Sequence, residues 1–315
     1  MNTLIYGGAG SCPRFSHGQR AFIFSLLHER PKRSSSTFSV ALNNRGYGKI
    51  NGPASTLPPP LNVPERKPDQ TFPSHLLTVG KAYLAFYKHG GKAVFNNFLA
   101  SRAIFRTISS KYNGSLIRAI DKGFLDRSNF QLLTRSRFDI KRLPIFALVF
   151  ILCGEFTPLV VIALTDIVPY TCRIPRQIES DRTTLEKRRE ISFQNLEFDL
   201  PVGSVGVEEL NRMQLLHISR SLGLSIMDRG WFEDCLPTSL LRRKVRKRGE
   251  YLNIDDKLIL RCGGIEGMNV EETRIALVER GINISGKTEE HLKDSMRAWL
   301  HARKKATIEG LLLTR

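Results

Sequence analysis

The chain has 315 residues, of which 48 are Lys or Arg and 30 are Asp or Glu, so its formal net charge is +18. Apolar residues make up 41% of the chain, which permits a packed core and excludes a wholly disordered protein. The excess of positive charge favours anionic partners such as nucleic acid, a ribosome or an acidic membrane surface. The five cysteines are scattered without a C-x-x-C pair, which argues against a zinc site or a disulfide framework.

Residues 1–50 have the composition of a mitochondrial presequence. Up to residue 64 the chain holds one acid, Glu29, against seven Arg or Lys, and Ser and Thr are frequent. A basic, Ser-rich and acid-poor N-terminus is typical of such a segment, and a disordered basic tail is the alternative. Residues 51–74 contain seven prolines from Pro53 to Pro73. They predict an extended linker, because proline lacks an amide donor.

Residues 75–142 are predicted as a helical region before the membrane. Apolar residues recur at steps of three and four on both sides of a suggested break at Gly90–Gly91, which is the spacing of one helix face. No strand-type alternation of useful length occurs. The fold class is therefore all-α, with amphipathic helices toward the N-terminus.

The stretch 143–168 is apolar enough to cross a membrane. Sixteen of its 26 residues are Leu, Ile, Val or Phe, and a helix of this length rises ~39 Å against the ~30 Å of the hydrocarbon core. We therefore predict one transmembrane helix, with a buried helix of a soluble core as the alternative. Five Lys or Arg lie within twenty residues on each side, so charge leaves the orientation open.

Three residues interrupt this apolar stretch, namely Glu155, Pro158 and Asp166. An acid in hydrocarbon must be neutral, paired, or turned toward protein or water. Pro158 would free the carbonyl of Gly154 beside Glu155. The three residues form a predicted polar site in the membrane, in which Glu155 is either a proton or cation relay or a protonated acid that holds helices together.

Residues 175–301 are predicted to form a helical domain, followed by a tail over 302–315. The densest charge run of the chain lies in this domain and consists of Arg242, Arg243, Lys244, Arg246, Lys247 and Arg248. A run of this type is either a solvated helix face or, as the net charge favours, a binding site for phosphate groups of RNA or lipid.

The last two predicted helices have clear boundaries. Asn269 and Glu272 fit a capping box, Gly281 fits a left-handed helix end, and Thr288 precedes two glutamates at the next helix start. A helix–loop–helix pair of this kind is an interaction module. The seven histidines do not cluster, and no nucleotide-binding, hydrolase, zinc-protease or EF-hand motif occurs. We predict no enzyme, no cofactor and no metal.

The order of these features resembles the LETM family, the leucine zipper–EF-hand-containing transmembrane proteins of the inner mitochondrial membrane. The resemblance extends roughly from Lys81 to His301. It rests on E-x-x-P from Glu155 to Pro158, on V-P at Val168–Pro169, on LLRRKVRKRGEYLNIDDKLI, and on the segments GIEGMNVEET, ALVERGI and LKDSMRAWL.

The resemblance implies a short member of this family, without the EF-hands and the C-terminal coiled coil of its long members. It implies a mitochondrial inner-membrane protein whose ribosome-binding-type domain, a 14-3-3-like helical bundle, faces the matrix. The implied roles are ribosome binding, support of membrane-protein biogenesis, and K⁺/H⁺ homeostasis. Glu155 falls on the family's intramembrane glutamate, and 242–248 on its basic helix.

Three functions follow. The leading one is a protein of the lipid bilayer that docks mitochondrial ribosomes, through rRNA or ribosomal proteins, with no small-molecule substrate. The second is a component of a K⁺/H⁺ exchange system that uses Glu155. Because one helix cannot enclose a pore, this role requires a homo- or hetero-oligomer in the membrane. The third is a soluble helical nucleic-acid-binding protein, because residues 268–300 also resemble small helix–extended–helix modules.

Overall fold

The fold is helical wherever the chain can be described. It is seen in a computed structural model, which describes residues 48–66, 68–69, 71–153, 167–194, 196, 206–224 and 235–314. The predicted all-α class is confirmed, since these residues form helices and turns but no strand. In chain order the α-helices are α1 (Phe72–Tyr112), α2 (Leu116–Asp121), α3 (Arg127–Cys153), α4 (Pro175–Gln194), α5 (Arg212–Ser221), α6 (Thr238–Arg261), α7 (Val270–Glu279), α8 (Glu289–Ala302) and α9 (Ile308–Leu313). Short 3-10 turns lie at Ala54–Thr56, Tyr170–Cys172 and Ile265–Gly267.

The two long helices α1 and α3 form an antiparallel pair. Toward one end, the rings of Tyr87 on α1 and Phe146 on α3 meet with their centroids 5.8 Å apart. Toward the other end, Ile108 on α1 shares an apolar cluster with Phe130 on α3. The chain can reverse after α1 because Asn113 takes a left-handed conformation, with φ of 51°, which asparagine tolerates better than most residues.

Helix α1 is continuous through Gly90 and Gly91, where the sequence suggests a break. Gly90 is buried, and a β-carbon built on it would lie 2.8 Å from the sulfur of Cys172. A β-carbon on Gly91 would meet no atom within 4 Å. The first glycine therefore allows close packing and does not end the helix. With the short helix α2 between them, α1 and α3 occupy most of the predicted helical region 75–142, and they extend beyond both of its ends.

Helices α5 to α9 surround a second apolar core. Five of its fully buried members are Leu215, Leu241, Leu277, Leu292 and Met296. Other buried members follow at helical spacing, such as Val245 and Leu252 after Leu241 on α6 and Trp299 after Met296 on α8, so these helices each turn one apolar face inward.

The last residues of the chain belong to this core. The hydroxyl of Thr307 accepts a hydrogen bond from the N–H of Gly310 at 3.2 Å at the start of α9, and Ile308, Leu312 and Leu313 are buried. The prediction of a tail over 302–315 is wrong. Three apolar residues within six form a helix face that packs onto the domain.

The segment before α1 is docked on the rest of the molecule. The side-chain amide of Asn51 donates to the carbonyl of Gly267 at 2.8 Å and accepts from the backbone N–H of Asn269 at 2.9 Å. Thr56 is buried a few residues later. The prediction of an extended linker over 51–74 is therefore wrong for its first residues, because they make tertiary hydrogen bonds.

The two flanks of the apolar stretch that was predicted as a membrane span lie close together. From Leu143 to Cys153 it is the continuous end of α3. Asp139, just before the stretch, accepts a hydrogen bond from the backbone N–H of Tyr170, just after it, at 2.7 Å. A single helix over 143–168 would rise ~39 Å and hold these residues far apart. The prediction of one transmembrane helix over this range is therefore wrong, since the chain returns to the place that it left.

None of the helices among the described residues is long and apolar enough to cross a bilayer. The residues of the predicted polar site, Glu155, Pro158 and Asp166, lie outside the described residues. So does most of the predicted presequence, from residue 1 to residue 47. The structure thus describes the residues on both sides of the polar site and those that follow residue 47.

Candidate functional site

The basic run lies on α6, one side of which is buried. Leu241, Val245, Gly249 and Leu252 recur at steps of three and four residues and face the core. At Gly249 the packing is close, since a β-carbon there would lie 3.0 Å from the carboxylate of Glu309 on α9. Because the buried positions follow the helical period, the six bases between them occupy the sides and the outer face of the helix.

Three of the six bases are engaged within the protein. Arg246 forms an ion pair with Glu208, and Nε of Arg242 lies 3.8 Å from Oε2 of the same glutamate. Nη1 of Arg248 lies 3.9 Å from Oε1 of Glu279 on α7. These arginines therefore join α6 to the segment before α5 and to α7, and their charge is partly neutralised.

The other three bases, Arg243, Lys244 and Lys247, have no acid within ion-pair distance in the part of the chain that the structure describes. Arg243 and Lys247 are exposed, and Lys244 is half-buried. At about 100° per residue, the three positions span an arc of about 100° opposite the buried side of α6. An anion that approaches this outer face of α6 meets three charges at once.

The other half of α6 carries two adjacent acids, Asp255 and Asp256, in a buried ion network. Nε of Arg127 donates to Asp255 at 2.8 Å, and Nη2 of Arg280 donates to the other oxygen of the same carboxylate at 2.7 Å. Asp256 accepts from Arg280 at 2.7 Å and from the indole N–H of Trp299 at 3.2 Å. A buried charge that lacks such partners costs several kcal/mol, so each carboxylate depends on its arginines.

Glu272, near the start of α7, is the second centre of this network. Its carboxylate accepts from Arg135 at 2.6 Å and from Arg127 at 3.1 Å. The predicted capping box is therefore only half right. The side chain of Asn269 accepts from the N–H of Glu272 at 2.8 Å, as predicted, but the carboxylate of Glu272 turns to the arginines of α3. The N–H of Asn269 is bonded to Asn51 instead.

A chain of hydrogen bonds connects the network with the basic run. Gln131 donates to Asp255 at 2.8 Å and to the hydroxyl of Tyr251 at 3.0 Å. That hydroxyl donates to Glu279 at 2.8 Å, and Glu279 faces Arg248. The outer face of α6 is thus held in a fixed orientation by side chains of α3 and α7.

The arginines also fix the protonation of the buried acids. Burial alone would raise the pKa of Asp255, but the charges of Arg127 and Arg280 hold it well below its usual range. Burial of Glu272 is likewise outweighed by Arg135 and Arg127, so its pKa is lowered. The network therefore stays ionised at neutral pH and supplies no proton-transfer group.

The buried histidine of α5 is a packing group. His217 lies between the hydroxyls of Ser192, at 2.8 Å, and Ser221, at 3.3 Å, and burial lowers its pKa. Within the described ranges, no group of three or more His, Cys, Asp or Glu could hold a metal ion. The feature of the described residues that best fits a binding function is therefore the positively charged outer face of α6.

Residues 186–315 match the family model described as LETM1-like, RBD, where RBD denotes a ribosome-binding domain. The chain carries a domain of the LETM family. The resemblance noted in the sequence is thereby confirmed for this part of the chain, and the LETM1-like domain includes α9. No curated protein and no solved structure matches the chain, so the 14-3-3-like arrangement stays a prediction.

Sequence reasoning located the basic run but missed the residues that orient it. Arg127 and Arg135 precede the matched residues of the LETM1-like domain and yet complete its ion network. The sequence did contain one signal that such basic partners exist. Asp255 and Asp256 lie among Leu252, Leu258 and Ile259, and acids on an apolar helix face require basic partners.

Proposed function

We propose that this protein binds mitochondrial ribosomes through the outer face of α6. The observation that carries the proposal is the group Arg243, Lys244 and Lys247, three uncompensated bases on a helix that a buried network holds in place. The LETM1-like ribosome-binding domain supports the partner, and the net charge of +18 supports an anionic surface.

The chemistry of the outer face of α6 favours rRNA phosphates over ribosomal protein. Lys and Arg neutralise phosphates and release the counterions that surround them, which makes such binding strongly dependent on salt. We expect these three bases to contribute most of the salt-dependent affinity. Arg242, Arg246 and Arg248 contribute less, because acids already face them.

The test is co-sedimentation of the purified protein with mitochondrial ribosomes over a series of salt concentrations. Replacing Arg243, Lys244 and Lys247 by glutamate should abolish binding. Replacing them by alanine should weaken binding and make the negative slope of log K against log salt shallower by about 2 to 3, since each phosphate contact contributes about −0.7 to −0.9. Unchanged co-sedimentation of the glutamate variant would contradict the proposal.

A matched control is available on α1. Lys81, Lys88 and Lys92 are exposed, and their triple glutamate variant changes the net charge by the same amount outside the LETM1-like domain. We expect this variant to bind ribosomes like the wild type. Equal loss in both variants would mean that net charge, and no particular surface, controls binding. Equally tight binding of unrelated DNA would favour the soluble nucleic-acid-binding function.

We further propose that the protein acts at the matrix face of the inner mitochondrial membrane and supports biogenesis of membrane proteins there. The basic, acid-poor composition of residues 1–50 supports this location. Import into isolated mitochondria, followed by carbonate extraction and protease treatment, tests it. Recovery of the protein outside mitochondria would contradict it.

A role in K⁺/H⁺ homeostasis rests on Glu155, which the sequence places in an apolar stretch. Swelling of mitochondria in potassium acetate measures this exchange. If Glu155 handles protons, Glu155→Gln slows the swelling. Wild-type swelling of that variant would leave ribosome binding as the function.

A further inference from the structure

The residues on either side of the apolar stretch meet at one place on α1. Before it, Phe146 of α3 packs on Tyr87, and after it, Val168 and Cys172 belong to the same buried cluster. Asp139 reinforces this contact by accepting hydrogen bonds from the backbone of Tyr170 and Thr171. If the stretch enters a membrane, both of its flanks therefore lie on the same side of that membrane.

The end of the α1–α3 pair beside this meeting point is apolar and exposed. On α3, the exposed residues after Arg142 are Pro144, Ile145, Leu148, Ile151 and Leu152, and the last two are 77% and 74% exposed. On α1, the first turns expose Phe72, Leu76 and Leu77. Residues 72–80 and 143–153 contain no Asp, Glu, Lys or Arg. We call this surface the apolar end.

On α1 and α3 the exposed charges nearest the apolar end are all bases, although Glu65 and Asp69 are exposed in the segment before α1. Helix α1 contains six Lys or Arg and no acid in its 41 residues. Helix α3 contains a single acid, Asp139, which is buried. The exposed bases nearest the apolar end are Lys81 and Lys88 on α1 and Arg137 and Lys141 on α3. Apolar residues bordered by Lys and Arg are the pattern of a segment that sits in lipid with its charges among anionic headgroups.

We propose that the apolar end rests in one leaflet of an anionic bilayer, with both helices in contact with lipid, and that the chain enters and leaves the membrane on the same side. The proposal rests on the membrane location proposed above. It replaces a single crossing by a one-sided anchor that α1 shares. The partner is lipid, since an exposed apolar surface whose two helices carry exposed bases and no exposed acid matches hydrocarbon beneath anionic headgroups.

Sidedness is tested with the full chain in isolated mitochondria. Cys12, Cys153 and Cys235 are replaced by serine, while Cys172 and Cys262 are buried and stay. Single cysteines are then placed at the exposed positions Arg137→Cys and Arg176→Cys, before and after the apolar stretch. A maleimide that cannot cross membranes should label both from the matrix side of inverted inner-membrane vesicles and neither from the other side. Labelling from opposite sides would overturn the proposal.

The contact with lipid is tested by depth-dependent quenching. A fluorophore on Leu77→Cys or Leu148→Cys should be quenched several-fold more by lipids with a quencher on the acyl chain than one on Leu260→Cys, an exposed residue of α6. The vesicles contain equal parts of phosphatidylcholine and phosphatidylglycerol. Quenching at Leu148 without quenching at Leu77 would remove α1 from the anchor. Quenching at neither position would overturn the whole proposal.

These measurements separate the anchor from ribosome binding. The glutamate variant of Arg243, Lys244 and Lys247 should lose ribosomes and keep the labelling and quenching patterns. Loss of membrane contact with intact co-sedimentation would reject the anchor alone. Absence of the wild-type protein from mitochondria would reject the location proposed above. The quenching experiment in vesicles would still decide whether the apolar end contacts lipid.

Discussion

Arg127 and Asp255 lie 128 residues apart in the chain and meet in a fully buried ion pair, with 2.8 Å between Nε and Oδ1. Arg127 belongs to α3, before the family match, and Asp255 belongs to α6, inside it. The LETM1-like domain therefore depends on residues that precede it in the sequence.

The fragment 186–315 should be much less stable than the chain from residue 48 to residue 315. Without α3, Glu272 loses both of its arginines, and Tyr251 loses the ring of Phe130 that stacks on it at 5.5 Å. Thermal unfolding followed by circular dichroism should give a clearly lower Tm for the fragment, or no cooperative transition. An equal Tm for both chains would show that α3 is dispensable.

Replacing Arg127 by alanine should lower the free energy of unfolding by about 3 to 5 kcal/mol, because it takes from each of the buried carboxylates Asp255 and Glu272 one of its two arginine partners. The control is Lys257→Ala, also a cation that joins α6 to the first half of the chain, in an exposed pair with Asp121. This change should have little effect, since solvent screens the pair. Urea denaturation measures both variants, and similar losses would contradict the importance of burial.

The buried acids make stability depend on pH in a defined direction. The pKa values of Asp255 and Glu272 are lowered in the folded state from ordinary values of 3.8 and 4.5. Their contribution is complete above those ordinary values and is lost as the pH falls through the lower folded-state pKa values. The stability difference between wild type and Glu272→Gln should therefore be large at neutral pH and smaller near about pH 3. A difference independent of pH would contradict this.

The two adjacent glycines of α1 should respond oppositely to alanine. At Gly90 a β-carbon would lie 2.8 Å from the sulfur of Cys172 and 3.1 Å from the carbonyl of Thr171, so Gly90→Ala should cost about 1 to 3 kcal/mol through overpacking. Gly91→Ala meets open space and should stabilise α1 by up to about 1 kcal/mol through helix propensity. Denaturation curves of the two variants decide this, and a shift of the same sign in both would refute the assignment of Gly90 to packing.

The sequence was informative where a local pattern decides the structure. The caps at Asn269 and Thr288 and the left-handed glycine at 281 are confirmed, with φ of 78° at Gly281. Each depends on atoms within a few residues of one another. The all-α class follows from the same short-range periodicity.

The sequence was uninformative where the partner lies far along the chain. Glu272 has the position of a capping-box residue, and its local option was overridden by two arginines of α3, because pairing satisfies a buried charge better than a single backbone N–H. The predicted span was wrong for a related reason. Hydrophobicity indicates that residues prefer lipid or a core, but the contact between Asp139 and Tyr170 decides the direction of the chain.

The docking of Asn51 on Asn269, across 218 residues of sequence, has a consequence for the folding rate. Contacts of such separation require closure of very long loops, and they slow folding because the closure entropy is lost before the contacts form. Arg127 and Glu272, 145 residues apart, face the same delay. We expect the helices of the C-terminal half to form early and the ion network that orients the basic helix to close late. On this expectation, attainment of the binding-competent state is limited by the meeting of these distant segments.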